Sequence, residues 1–221
     1  MALILNIESG GAFCSACIAK DGVAIANQQE SSINSHASKI TLIIERVLAD
    51  AELSMSQLDA IAISEGPGSY TGLRIGASTA KGLAYTLDKP LIKVSSFEVV
   101  LDAALDKSAI FPIMALIQAK KNAFYYQSFL AKDTPSASPQ IMRNIEDISA
   151  LNEVLCGQKI FINSTNEAII EILKKIGMEF DVVNVAAKNM AATSFLHFAN
   201  NTFASAILFE PFYLGGFGKD F

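Results

Sequence analysis

The segment from Glu65 to Gly76 reads EGPGSYTGLRIG and separates an apolar stretch from a helical one. Leu58 to Ser64 before it is predicted to be a buried strand, and Leu73 to Leu87 after it a helix. Glycines permit a tight turn and expose backbone N–H groups at the positive end of the helix, where an anion is stabilised. The spacings typical of a phosphate-binding loop, a dinucleotide fold or a nucleophile elbow are absent. The residues alone favour the other interpretation, a structural turn with Thr71 as the helix cap.

Upstream of this loop, the pattern predicts three strands and a helix. Leu3 to Ile7 is an apolar run, and Phe13 to Ala19 and Val23 to Gln28 flank a Lys-Asp-Gly turn, which is a strong hairpin signal. Ser38 to Glu52 carries its apolar residues at helical spacing. That apolar stripe consists of Ile40, Ile43, Ile44, Val47, Leu48 and Ala51.

Downstream, Leu91 to Val94 is predicted to be a strand and Phe97 to Leu105 a helix. The order β-β-β-α-β-α-β-α predicts an α/β fold with a mixed five-stranded sheet of the ribonuclease-H type. The second half repeats this theme loosely, so we expect two domains, residues 1–106 and 107–221. Its predicted strands are Ile113–Ala119, Ala123–Leu130, Lys159–Ile162 and Val182–Val185, its helices Ile145–Leu155, Glu167–Ile176 and Lys188–Asn200, and its tail, Ala206–Tyr213, is predicted to be extended.

The composition is unusually apolar for a water-soluble chain. Hydrophobic residues make up 51% of the 221 residues and charged residues 18%, against about 25% in typical soluble domains. The apolar runs fall far short of the roughly 18 residues that a membrane-spanning helix needs, and no signal peptide is recognised. The net charge of −5 makes direct nucleic-acid binding improbable. The excess hydrophobicity is therefore assigned to a core, to a partner interface, or to both.

Residue types that bind metals or act as nucleophiles are scarce and badly spaced. Cys14 and Cys17 lie three residues apart on a predicted strand, so their side chains point to opposite faces and are interpreted as small buried residues. Three cysteines form no disulfide framework, which favours a reducing cytosol. The two histidines, His36 and His197, form no zinc motif. We therefore expect neither a metal site nor a catalytic constellation.

The predicted helix after the glycine loop has a stripe of small residues. Gly72, Gly76, Ala80 and Ala84 recur every four positions, which permits close approach of another helix. That helix is either the chain's own Ser38–Glu52 helix or a helix of another subunit, and the sequence leaves both open.

The glycine loop also carries a resemblance to a known family. Gly66 to Gly76, followed by Ala80 to Ala84, resembles the TsaB (formerly YeaZ) family of bacterial proteins of tRNA threonylcarbamoyladenosine biosynthesis. The similarity extends through Leu3 to Gly22, Ser35 to Ser38 and Val94 to Ser96, and it weakens after about residue 105. It implies an actin-like fold of the ASKHA class, with two ribonuclease-H-like lobes.

The resemblance further implies a role without catalysis. The chain would be a cytoplasmic, activating partner of TsaD, which transfers a threonylcarbamoyl group onto the adenosine next to the tRNA anticodon. The ATPase TsaE would join the complex, tRNA would be contacted indirectly, and the chain alone would form a homodimer. No intrinsic cofactor is implied, with ATP or ADP expected only at the partner complex. The implied partner-binding residues lie on the two helices of the first half: Ile40, Ile43, Ile44, Val47, Gly72, Arg74, Ile75, Gly76, Thr79, Ala80 and Leu83.

Departures from the family pattern bear on an alternative function. Glu8 stands where active actin-like ATPases carry Asp, the carboxylate of the family's hairpin motif is missing at Gln118, and a C-terminal arginine is replaced by Gly215. An actin-like nucleotide-binding ATPase or kinase remains the alternative, and a peptidase using Ser69 and His36 is a weaker one. The candidate anion- or nucleotide-binding loops contain Glu8, Ser9, Gly10, Gly66, Gly68, Ser69 and Thr71.

Overall fold

The computed structural model describes residues 1–31, 36–107, 110–119, 123–132, 134–135, 138–142, 158–163, 167–175, 177 and 179–214. The first half has the predicted order of elements. They are β1 (Leu3–Glu8), β2 (Phe13–Lys20), β3 (Val23–Ser31), α1 (His36–Asp50), β4 (Ala60–Gly66), α2 (Tyr70–Leu87), β5 (Leu91–Ser95) and α3 (Ser96–Leu105). The sheet order is β3-β2-β1-β4-β5, with the first three strands antiparallel and β1, β4 and β5 parallel.

The second half forms another mixed sheet. Its elements are β6 (Ile113–Gln118), β7 (Phe124–Ala131), β8 (Thr134–Pro135), β9 (Gln140–Met142), β10 (Lys159–Asn163), α4 (Glu167–Lys175), β11 (Phe180–Val182), a 3-10 turn (Ala187–Met190) and α5 (Ala191–Ala199). Five strands follow the order β11-β10-β6-β7-β8, and the short β9 also pairs with β7 as a sixth. The predicted helix Ile145–Leu155 lies outside the described residues.

One hydrophobic core joins the two sheets, and another lies beneath α1 and α2. The shared core contains residues of β1, β4 and β5 together with residues of β6, β7 and β10. The C-terminal part returns to the first sheet, where α5 packs and Ala204 forms an antiparallel bridge with Leu91. Phe209 is buried with the residues under α1 and α2. The predicted domain boundary at residue 106 stays a prediction.

Three local predictions are wrong. The strand predicted at Val182–Val185 is β11 at Phe180–Val182, so only Val182 of the predicted range is in a strand. The α2 helix begins at Tyr70, and its cap is Ser69 rather than Thr71, because the Ser69 hydroxyl accepts from the backbone N–H of Gly72 at 3.4 Å. The tail predicted as extended from Ala206 to Tyr213 contains a turn and irregular backbone instead. Its apolar side chains mimic a strand pattern, but its N–H groups bond to scattered backbone and side-chain acceptors rather than to a neighbouring strand.

None of the helices in the described ranges is both long and apolar enough to cross a bilayer.

Candidate functional site

Two glycine-containing loops of the first half are bonded to each other. Ser69 donates its backbone N–H to the carbonyl oxygen of Gly10 at 2.8 Å, and the Ser9 hydroxyl donates to the carbonyl oxygen of Gly72 at 2.9 Å. Gly10 in turn donates its N–H to Oε1 of Glu8 at 2.7 Å. The hairpin between β1 and β2 and the loop before α2 are therefore one polar unit, a connection that the sequence analysis did not predict.

The small-residue stripe of α2 faces this hairpin. A Cβ on Gly72 would collide with the backbone oxygen of Ser9, and one on Gly76 with the Ser9 hydroxyl. A Cβ on Gly68 would lie 2.7 Å from the Gly10 oxygen. Both alternatives predicted from the sequence placed a helix against the stripe. Its N-terminal half, at Gly72 and Gly76, packs on the hairpin instead, whereas its C-terminal half is buried in one core with the apolar side chains of α1, as the alternative of the chain's own helix expects.

Glu8 lies beneath the two loops and is 2% exposed. Burial raises the pKa of the Glu8 carboxyl, and hydrogen bonds from Ser64 and from the backbone of Gly10 and its neighbours oppose that rise only in part. Its Oε2 atom is buried without a hydrogen-bond partner. The hydroxyls of Ser64 and Ser96 are 2.9 Å apart on neighbouring elements.

These contacts do not suit a nucleotide phosphate. A phosphate loop needs several backbone N–H groups directed at the ligand, whereas the N–H groups of Gly10, Ser69 and Gly72 already have acceptors within the chain. Thr71 is exposed on the first turn of α2. Gly66 has a φ of +109°, and a Cβ there would lie 2.6 Å from the backbone oxygen of Phe212.

Metal-binding and nucleophilic groups are not gathered elsewhere in the described parts of the chain. No three His, Cys, Asp or Glu side chains among those residues are close enough to hold a metal ion. Burial raises the pKa of the Cys14 thiol to about 11 and that of the Cys17 thiol to about 12, so neither is a thiolate at neutral pH. The Ser69 hydroxyl serves as a helix cap, and the side chain of His36 lies outside the described set.

The helices α1 and α2 place many of the expected partner-binding residues in the interior. Ile40, Ile43, Ile44 and Val47 are at most 1% exposed and pack onto the first sheet. Their assignment as contact residues is wrong, because the apolar stripe of α1 fills the core under that helix. Gly72, Gly76 and Ala80 are buried as well, whereas Ile75, Thr79 and Leu83 are partly exposed and Arg74 is exposed.

The exposed side of α2 forms a groove with Thr41 of α1 and with Met55 of a 3-10 turn (Met55–Gln57), and the sequence analysis only partly anticipated it. We call it the helix-pair groove, and it is lined by Thr41, Met55, Ser78, Thr79, Gly82, Leu83, Thr86 and Leu87. Thr79 and Leu83 were expected at a partner surface. The others were missed, although Ser78, Gly82 and Thr86 recur every four residues as small uncharged residues on one helix face. The groove holds no charged side chain and is therefore suited to an uncharged helix.

Comparisons with known proteins point to one family. A protein-family model described as TsaD, tRNA N6-adenosine threonylcarbamoyltransferase, matches residues 24–207. The chain is 26% identical over 219 residues to the tRNA threonylcarbamoyladenosine biosynthesis protein TsaB of Haemophilus influenzae, which covers 96% of this chain and 92% of that protein.

Solved structures agree on the fold. YeaZ from Pseudomonas aeruginosa superposes with a TM-score of 0.81 at 21% identity, covering 97% of this chain and all of that one. Component A of (R)-2-hydroxyglutaryl-CoA dehydratase from Acidaminococcus fermentans superposes with a TM-score of 0.58 at 12% identity, covering 90% of this chain and all of that one. These likenesses confirm the expected actin-like architecture.

Proposed function

The chain belongs to the family described as TsaD, tRNA N6-adenosine threonylcarbamoyltransferase, and within it to the TsaB (YeaZ) proteins, and from that premise we propose that it is an activating, scaffolding subunit in the biosynthesis of threonylcarbamoyladenosine next to the tRNA anticodon. It docks onto the catalytic subunit TsaD and does not itself carry out the transfer. TsaE as a further partner, tRNA contacted through the complex, a homodimer in isolation and a cytoplasmic location belong to the same proposal.

The observation that carries the proposal is the helix-pair groove. Its lining is uncharged and contains several small residues, which is what close packing of a partner helix requires. Leu42, on α1, is a large apolar side chain that is exposed rather than buried in the core. Because the apolar stripe of α1 already fills the chain's own core, these outward residues are available for a partner.

The bonding of the glycine loops supports a role without catalysis. Nucleophilic and phosphate-binding sites present side chains and backbone N–H groups to a ligand. Here Oε1 of Glu8 accepts from Gly10 in its own loop, the Ser9 hydroxyl donates to Gly72, and the Ser69 hydroxyl caps α2. The net charge of −5 supports indirect rather than direct contact with tRNA, since phosphate binding needs clustered Lys and Arg.

Size-exclusion chromatography with light scattering tests the proposal, using the full chain and its cognate TsaD. We expect a complex between the two proteins and stimulation of threonylcarbamoyladenosine formation. Ser78→Arg and Thr86→Arg, which put charge and bulk into the groove, are expected to abolish both. Thr202→Arg is the matched control, because Thr202 is exposed beyond α5 on the other face of the sheet.

Failure of the wild-type chain to bind TsaD or to stimulate the modification would overturn the proposal. Calorimetry with ATP and magnesium addresses the alternative of an ATPase or kinase. We expect no binding to the isolated chain, whereas tight binding with hydrolysis that is lost in Glu8→Gln would favour the enzyme.

A further inference from the structure

The segment Ala204–Phe212, which we call the strap, is fixed along one flank of α2. Ala204 donates its N–H to the Leu91 oxygen at 2.8 Å, and Phe212 donates its N–H to the Glu65 oxygen at 2.7 Å. Between these points, Lys81 Nζ donates to the Phe209 oxygen at 2.8 Å. The strap is therefore held at both ends and in the middle, although it has no regular secondary structure of its own.

The strap and the helix-pair groove lie on opposite flanks of α2. Lys81 bonds to the strap, and Thr79 lines the groove. Two residues along a helix are separated by about 200° around its axis, so these side chains leave α2 in nearly opposite directions. The outer face of α2, which carries the exposed Tyr85, runs between the two features, and Ser78 marks the edge of the groove on that face.

The middle of the strap presents apolar side chains to solvent. Ser205 accepts from the N–H groups of Leu208 and Phe209, which closes a turn. The turn buries Phe209 but leaves Ile207 71% and Leu208 78% exposed. Tyr85, one helical turn after Lys81, is 71% exposed. Single exposed apolar residues are ordinary, but two consecutive ones on a turn that is anchored to α2 through Lys81 mark an interaction surface.

The composition and anchoring of the strap suit a protein partner. No charged residue occurs between Ala204 and Phe209, and the centres of protein interfaces are depleted of charge and enriched in aromatic residues. Because the strap is tied to α2 and β5 before any partner arrives, binding requires little ordering of its backbone. A mobile tail with the same residues would lack that advantage.

We propose that the strap is the second half of the partner-binding surface and that its occupant is the protein that docks in the helix-pair groove. This inference rests on the proposed function. A partner whose apolar side chains cross the outer face of α2 contacts the groove on one side and Ile207 and Leu208 on the other. The continuity of the two surfaces across α2 is the reason for assigning both to one partner rather than to a second copy of this chain.

Calorimetric titration of cognate TsaD into the full chain tests the inference. The double variant Ile207→Ser/Leu208→Ser is expected to weaken affinity about tenfold or more, as for central apolar contacts of protein interfaces. Val23→Ser/Ile25→Ser is the matched control, because it removes two exposed apolar side chains from β3 at the opposite edge of the sheet. It is expected to leave affinity unchanged. Amide hydrogen exchange of the wild-type chain supplies a second measurement, with added protection expected at Ile207 and Leu208.

The outcomes separate this inference from the proposed function. Unchanged affinity of the strap variant, together with loss of binding in Ser78→Arg, would overturn the inference and leave the proposed function standing. A strap variant that alters self-association instead of TsaD affinity would assign the strap to a second copy and also overturn it. A wild-type chain that does not bind TsaD would overturn both. Should the strap variant fold poorly, absent exchange protection in the wild-type complex would still refute the inference.

Discussion

Ser69 donates its backbone N–H to the carbonyl oxygen of Gly10 at 2.8 Å, and this bond joins the start of α2 to the hairpin between β1 and β2. The same hairpin carries Ser9, whose backbone and hydroxyl oxygens touch α2 at Gly72 and Gly76. The position of α2, and with it one wall of the helix-pair groove, is thus set by backbone contacts that only glycine permits. The function proposed for the groove depends on this packing.

Two glycine-to-alanine substitutions in α2 are predicted to have opposite effects. Gly72→Ala should lower the free energy of unfolding by about 1–3 kcal/mol, because the new Cβ collides with the Ser9 backbone. Gly82→Ala should raise it by about 0.5–1 kcal/mol, because nothing lies within 4 Å and alanine favours a helix. Urea denaturation of both variants measures the difference. Equal effects at the two positions would contradict the packing of α2 on the hairpin.

Glu8→Gln is predicted to change how stability depends on pH. Burial raises the pKa of Glu8 in the folded chain, so the carboxyl ionises more readily when the chain is unfolded. The stability of the wild-type chain should therefore fall as pH rises from the ordinary carboxyl pKa of about 4.3 towards the raised one. The glutamine variant should lack that fall and be the more stable protein at neutral pH, as measured by thermal unfolding across a pH series.

Glu30 provides the control of opposite sign for that series. The salt bridges of Glu30 with Lys39 and Arg46 lower its pKa, so its contribution is present at neutral pH and is lost as pH falls through the lowered value. Glu30→Gln should lower stability by a constant amount on the alkaline side of the profile and leave the pH slope there unchanged. The same pH slope in Glu8→Gln and in the wild-type chain would show that Glu8 is not the titrating group.

The two cysteines of β2 are predicted to be inert in the folded protein. Their raised pKa values, about 11 for Cys14 and about 12 for Cys17, leave almost no thiolate at pH 8, and burial blocks reagents. In a Cys156→Ser background, a thiol-reactive dye should label both residues only at the rate of unfolding. Rapid labelling under native conditions would indicate that β2 opens locally.

Sequence periodicity predicted the order of elements in the first half because each strand and helix there is bounded by turn residues or proline. It predicted the wrong conformation for the strap, where the chain returns to the first sheet. The strap has the hydrophobicity of a strand, yet its turn at Ser205 depends on α2 and β5, which are distant in sequence.

The α1 residues that the sequence analysis predicted at a partner surface lie in the core for a related reason. The periodicity of α1 identifies its apolar stripe but does not tell whether the chain's own core or a partner covers it. In the structure Ile40, Ile43, Ile44 and Val47 are buried in the core beneath α1. The groove depends on small residues such as Ser78, Gly82 and Thr86, whose four-residue spacing does not appear in hydrophobic periodicity because these residues are not apolar.

The last prediction concerns the contact between α3 and α5. Asp102, on α3, accepts a hydrogen bond from the Thr193 hydroxyl at 2.6 Å and pairs with Lys132 Nζ at 2.9 Å. Thr193→Val should lower the free energy of unfolding by about 1.5–3 kcal/mol, because a hydrogen bond to a charged acceptor is lost in a buried place. Lys132→Met should lower the free energy of unfolding by a smaller amount, since the Lys132 side chain is 40% exposed and its ion pair is screened by water. A double-mutant cycle with Asp102→Asn should therefore give a larger coupling energy for Thr193 than for Lys132. The reverse order would mean that Asp102 is held mainly by Lys132, which follows β7, rather than by the hydroxyl of α5.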